Sequence, residues 1–428
     1  MASALLRLEE MIVALPIEGE SFLLRRDGRS VLVDGGWKRD NVAKVLTQLF
    51  SDMAHLDIVL CTHGDGDHAG GLPNLLNQWA GRVGQVWLPG QWVDVIPKLV
   101  LDPKTFLTSL VRELKAELEV SSEDIRRIIR DDDDQAEAIS AEDTSRSKTK
   151  DDISSDHVIF GEDGFDSNLL EAPKEPEWFA SLRNLADEII GDVAAERAFA
   201  SARNSVLRRR RRAGDALQSK IANYWLKLIK TAEAVRGIAV SAIRHEIPTR
   251  WFDFEEFART RKSKGGVRGF LVPINAIEQA PPPTIAPLYR LLTQVNEESL
   301  VFLAPPKRDM FGVLFCGDSP LGDGVNYINS FLPCRDYRHW PMVVTAPHHG
   351  SESNGAAYNH LRSWANTAVL LRTGGSTKQP GKTFLAQNHC LKLCAKCPKA
   401  RRKPLVTGVI GYQSYWPWMM AIGRRCKC

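Results

Sequence analysis

The sequence predicts an α/β fold with its chemistry gathered at strand ends, and three observations carry that prediction. Short apolar runs of β character alternate with segments of helical spacing from residue 12 onward. Three of the apolar runs end in His or Asp followed by glycine: residues 58–61 before THGDGDHAGG, 311–315 before CGDS, and 342–346 before PHHGS. Between the first and second lies a long stretch of different character, helical in spacing and marked by blocks of like charge.

Residues 12–15, 21–25 and 30–33 read as short strands parted by turns at 17–20 and 26–29, the latter a hairpin turn in which Gly28 can take positive φ. The third run ends in Asp34, Gly35 and Gly36, and Val42, Val45, Leu46 and Leu49 then space a helix over 41–50. Strand 58–61 delivers a polar loop; 72–80 reads as a helix and 83–88 as a further strand. Residues 1–100 thus form the first half of the fold. Residues 101–245 read as a helical insertion, with helices over 104–130, 178–200 and 215–243. Inside it, an acidic segment of about 131–172 opens with Asp131 to Asp134 and is too poor in apolar residues to order itself. The sheet pattern resumes in 246–375, with strands at 269–273, 299–303, 311–315, 342–346 and 368–372 and helices at 285–296 and 358–365. A Cys-rich tail, 376–428, carries one β run at 406–412.

Composition narrows the class. At 428 residues the chain holds two to three domains, and its net charge of +4 is too small to argue nucleic-acid binding alone. No apolar run reaches bilayer-spanning length, and Arg7, Glu9 and Glu10 interrupt the first residues, so a cytoplasmic protein without a membrane partner is expected. Five of the eight cysteines crowd into the last forty residues, which suits reduced thiols and a metal better than a distributed disulfide framework.

The densest chemistry is the loop after residue 61: His63, Asp65, Asp67 and His68, closed by Gly70 and Gly71. Alternate positions of an extended loop face one side, so His63, Asp65 and Asp67 can converge, with His68 turned toward a second cation. Mixed imidazole and carboxylate suits a pair of hydrolytic divalent ions. Turns are rich in Gly, Asp and His as well, but two His and two Asp within six positions after a strand outweigh a merely solvated turn.

The three motifs in this order resemble the metallo-β-lactamase superfamily, a four-layer αββα sandwich with a binuclear metal site. Asp65 at the second ligand position, the GD at 317–318 and PHHGS are most similar to its ComEC-like branch, hydrolases of nuclease type, here stand-alone. LPIEGESFLL and VLVDGG resemble the first hairpin of that branch. The resemblance covers about 10–100 and 268–375. It implies that His63 and Asp65 bind one cation, that Asp67 and His68 bind the other, that Asp318 bridges both, and that His348 completes the second site. It further implies that His349 is a transition-state or supporting contact, that Asp67 accepts a proton from the nucleophile, and that the buried Asp34 props the loop. Two departures stand out: no ligand His follows near 84–92, and 374–381 reads GGSTKQPG where competence-type relatives carry Gly-His-Pro. A first site held less tightly favours manganese or magnesium as well as zinc.

The expected function is therefore phosphodiester hydrolysis on DNA or RNA through two divalent metal ions, with a small-molecule ester, lactam or thioester hydrolase as the alternative. Arg208, Arg209, Arg210, Arg211 and Arg212 read either as a solvated face or as a surface that holds the phosphates of a nucleic-acid substrate, together with Arg203, Lys220, Lys227 and Lys230. The acidic segment suggests a restraint released by a regulatory protein or an activating protease, as an enzyme of antiviral defence requires. In the tail, Cys394 and Cys397 (C-x2-C) with Cys426 and Cys428 (C-x-C) offer four thiolates for an additional structural zinc, against a reading as free or oxidised thiols.

Overall fold

The computed structural model describes residues 10–120, 175–185, 188–189, 191–211, 216–281, 287–292, 296–307, 310–333, 337–397, 403–412 and 418–426. The acidic segment, Arg212, Cys334 and Cys428 lie outside the described residues. Six strands open the first sheet in spatial order: β1 (Glu10–Ala14), β2 (Phe22–Arg26), β3 (Arg29–Val33), β4 (Leu56–Leu60), β5 (Val83–Pro89) and β6 (Thr249–Asp253). The hairpin strands β1 to β3 are antiparallel, and β3 to β6 run parallel. β7 (Val272–Pro273) begins the second sheet, and β8 (Ile277–Glu278) extends the first beyond β6. The second sheet then gains β9 (Phe302–Ala304) and β10 (Gly312–Phe315), while β11 (Gly322–Asp323) and β12 (Asn329–Ser330) form a separate small ribbon. β13 (Tyr337–Thr345), β14 (Ala365–Arg372) and β15 (Leu391–Cys394) complete the second sheet in the order β15-β14-β13-β10-β9-β7. β16 (Thr407–Tyr412) and β17 (Trp418–Ile422) return to the first sheet beside β1.

Alternation along the strands sorts side chains into three cores, and three cores separate four layers. Phe22, Leu24, Val31, Val33, Ile58 and Leu60 of the first sheet meet Phe302, Val313, Phe315, Val343 and Leu371 of the second. Leu23, Leu32 and Val59 face the other way, onto helices Val42–Leu49, Leu72–Gln78 and Ala216–Arg244. Leu303, Leu314 and Val344 pack on Tyr358 and Leu361 of helix Gly355–Trp364. The fold is an αββα sandwich of the metallo-β-lactamase type. Among the described residues, no helix is long and apolar enough to cross a membrane.

The helices of 101–245 pack against the first sheet's helical layer. Trp225, Leu228 and Ile229 share a core with Leu72 and Leu75, so helix Ala216–Arg244 is part of the outer layer. The helix expected over 178–200 is instead two, Glu177–Asn184 and Asp192–Arg211, the second starting after Gly191 and running on through the arginines. From the tail, β15 pairs with β14, and β16 pairs with β1.

One buried ion pair ties the sheets together. Arg26, fully buried on β2, pairs with Glu10 of β1 and donates from Nη1 to the Pro305 carbonyl at 2.9 Å. Burial pushes the Glu10 carboxyl up to about 7, with Arg26 opposing. Replacing Arg26 by leucine strands that carboxyl, and denaturant titration is expected to show a loss of about 3 kcal/mol. Substituting Glu10 by glutamine in the same chain is expected to recover part of it.

Candidate metal centre

The end of β4 in the first sheet and the ends of the parallel pair β10 and β13 in the second lie at one rim of the sandwich, where the three sequence motifs meet. His63 and His68 leave β4, Asp318 leaves β10, and His348 and His349 leave β13. The loop can bend this tightly because of glycine: a Cβ on Gly71 would lie 2.1 Å from the Gly35 carbonyl oxygen.

Asp318 is the hub. Its Oδ2 lies 3.5 Å from His63 Nε2 and 3.6 Å from His348 Nε2, and its Oδ1 lies 3.3 Å from His68 Nε2. Asp65 Oδ2 approaches His63 Nε2 at 3.9 Å. Each donor is held from behind. Asp34 accepts from the Thr62 amide at 2.8 Å and the Thr62 hydroxyl at 2.7 Å, and its Oδ2 takes the His68 Nδ1 hydrogen at 2.8 Å. His68 therefore presents Nε2 to the centre. Thr62 Oγ1 and Ser299 Oγ lie 3.0 and 3.3 Å from His63 Nδ1 and do the same for that ring.

The two adjacent imidazoles face different partners. His349, buried, places Nε2 3.1 Å from Asp67 Oδ2, and its ring centroid lies 5.3 Å from that of His68. His348 turns toward Asp318 and is 27% exposed, with Asn296 Nδ2 3.1 Å from its Nδ1. The geometry thus puts His349, not His348, with Asp67 and His68. The reason is backbone conformation: both residues have left-handed φ (47° and 54°), which throws successive side chains to different sides.

Sequence reasoning missed Glu20. It sits 2% exposed in the turn before β2, and its Oε2 is 3.0 Å from His349 Nδ1, which also reaches the Thr373 carbonyl at 3.0 Å. The turn closes on the ligand loop through a Glu20 N–H donated to the Asp67 carbonyl at 2.8 Å. Glu20 relates to His349 as Asp34 relates to His68. Because such outer carboxylates orient metal-binding imidazoles, Glu20→Gln is expected to weaken cation binding about tenfold, read by titration of the purified chain with Mn2+.

The charges are those of a site built for cations. Burial opposes charge on His68, yet Asp318 and Asp34 beside it hold its pKa well above the ordinary imidazole value. Burial likewise opposes His349, but Asp67 and Glu20 raise it to about 10. Burial would raise Asp318, and the imidazoles of His348, His68 and His63 outweigh it and keep the carboxyl ionised. Asp67 stays ionised in the same way: burial is overcome by the His349 hydrogen bond. Meanwhile His63 Nε2, His68 Nε2 and Asp318 Oδ1 are buried without a hydrogen-bond partner, although His63, His68 and Asp318 lie within 4.8 Å of one another through their ligand atoms. Buried polar atoms are rarely left so. A divalent cation satisfies all three, and the residues fit one.

Residues 16–89 match the family model of the metallo-beta-lactamase superfamily. The match covers β2 to β5 and the ligand loop, and with the fold it supports a metal-dependent hydrolase. No curated protein matches the chain.

Away from the three loops, Lys227 of helix Ala216–Arg244 reaches the centre, its Nζ 2.9 Å from Asp65 Oδ2. A cavity of about 810 Å³ adjoins the loop at Gly66 and Gly70; its walls carry Lys38, Arg39, Arg203, Lys230, Arg236 and Arg244 against three acids. None of Arg208–Arg211 lines it. Those arginines are exposed at the end of helix Asp192–Arg211, where Arg209 stacks over Trp225 at 5.0 Å.

Proposed function

We propose that this protein is a metal-dependent phosphodiesterase, a ComEC-like nuclease acting on DNA or RNA with two divalent ions, zinc or manganese and also magnesium. The observation that carries the reading is Lys227, an ammonium beside Asp65, on the same helix that supplies Lys230, Arg236 and Arg244 to a cavity whose basic residues outnumber its acids. A phosphodiester brings negative charge that both features meet, whereas a neutral ester, lactam or thioester does not require them.

His63, Asp65 and Asp318 would hold one cation; Asp67, His68 and His349 the other, with Asp318 shared. When bound, the ions activate water and polarise a phosphoryl oxygen. Lys227 neutralises charge on the phosphoryl group as a point donor. Asp67 accepts the proton of the attacking water. His348 is held at Nδ1 near Asn296 and presents Nε2 beside Asp318 at 3.6 Å, where it would protonate the leaving oxygen. Restraint by a regulatory protein or a protease acting on the acidic segment, in a defence setting, belongs to the same proposal.

Cleavage of labelled single- and double-stranded DNA and RNA in manganese, magnesium and zinc tests it. Wild type is expected to cut at least one class, with oligonucleotide binding that weakens steeply as salt rises. Lys227→Ala is expected to raise KM about tenfold and to reduce the salt slope by about one. Turnover of a thioester, lactam or carboxylate ester with no cleavage of any phosphodiester would replace this reading with the small-molecule alternative.

A further inference from the structure

We propose that Cys394, Cys397 and Cys426 form a thiolate site for a zinc ion, and that this ion, through Arg372, braces the backbone of His349 in the hydrolytic centre. The zinc assignment is independent of what the centre hydrolyses.

Three chain segments converge here. β15 ends in Cys394, paired in register with Arg372 of β14. Cys397 follows in the loop, and the C-terminal segment returns: the Cys394 N–H donates to the Arg424 carbonyl at 3.0 Å and the Cys426 N–H to the Lys392 carbonyl at 2.9 Å. One sulfur from each of Cys394, Cys397 and Cys426 lies within 4.8 Å of the other two. Thiolates on one tetrahedral zinc, at bond lengths of about 2.3 Å, stand roughly 3.8 Å apart, so the ion needs only a small contraction. Soft thiolates select zinc over the hard cations that carboxylates admit. Cys428, which the spacing offers as a fourth ligand, lies outside the described residues.

Cys397 is disulfide-bonded. Zinc binding by all three sulfurs therefore requires the reduced chain. A phosphine reduces the disulfide to two thiols and is itself oxidised to the phosphine oxide, water supplying its oxygen and both thiol protons; the thiols release those protons to solvent as they ligate.

Arg372 supplies a second, independent observation. Its side chain is fully buried, and it donates from Nη1 to Cys394 Sγ at 3.3 Å, from Nε to the His349 carbonyl at 2.5 Å and from Nη2 to the Gly374 carbonyl at 3.2 Å. Among the described residues no carboxylate pairs with it, and a buried cation facing only dipoles is costly. Neutral thiols leave that cost standing. Zinc with three or four thiolates carries net negative charge and offsets it, fixing the guanidinium whose other end holds His349 in its left-handed conformation.

The test uses the full chain, purified in phosphine reductant, and its Asp318→Ala variant, in which the nitrogen and oxygen centre is broken. After dialysis the variant is expected to keep about one zinc per chain by mass spectrometry. Adding Cys426→Ser is expected to remove it. Cobalt substituted into the reduced Asp318→Ala chain should give a sulfur-to-cobalt charge-transfer band, a readout that does not depend on a cysteine variant folding. Absence of retained zinc and of that band would overturn the site. Cys426→Ser in the otherwise native chain is expected to weaken Mn2+ binding at the hydrolytic centre about tenfold; unchanged Mn2+ affinity would overturn the coupling through Arg372. Neither readout requires turnover, so failure of the nuclease reading leaves both intact.

Discussion

Asp318→Ala is expected to lower hydrolysis of a phosphodiester such as bis(4-nitrophenyl) phosphate by about 10³-fold or more, equivalent to about 4 kcal/mol in the barrier. The reason is its position. A single carboxylate faces His63, His348 and His68 at 3.3 to 3.6 Å, so its removal disables both proposed cation sites at once. Metal content of the N/O centre should fall with activity. Preserved activity in the variant would show that Asp318 is not shared between cations, and the two-ion arrangement would have to be abandoned.

Asp34→Ala is expected to act on stability and metal together. Its carboxylate accepts from the Thr62 amide, the Thr62 hydroxyl and His68, all buried. Stranding three buried donors costs about 3 to 9 kcal/mol, at 1 to 3 for each. His68 also loses the partner that sets its tautomer, which is expected to weaken cation binding about tenfold to a hundredfold. Urea denaturation and Mn2+ titration measure the two effects separately. Asp34→Asn should retain part of the stability, because its carbonyl oxygen can still accept, while remaining defective in holding the imidazole.

Much of the fold could be read locally. β1 to β5 and the two helices between them lie close to where alternation and helical spacing put them, because one buried face per element imposes its period on the sequence. Strand β6 escaped notice: TRWFD has no alternation, all five positions being buried. The tail strands β15 and β17 were obscured for a related reason, since edge strands draw their register from the neighbour they join. The loop His63 to His68, Asp318 and the histidine pair were legible because each follows an apolar strand. Glu20 was not. An acid in a turn reads as solvated until β1 and β2 fold it against His349.

Lys227 makes the same point from the other direction. Along its helix it is one lysine among several, and only the packing of Trp225 and Leu228 against the layer beneath turns it toward Asp65. The sequence alone determined the donor types, their placement at strand ends and the layered class of the fold, because these follow from local period and short spacing. Tertiary structure decided which imidazole joins Asp67, which carboxylates stand behind the ligands, and which cation meets Asp65. Those choices depend on backbone handedness at His348 and His349 and on contacts between segments hundreds of residues apart, where local pattern carries no information.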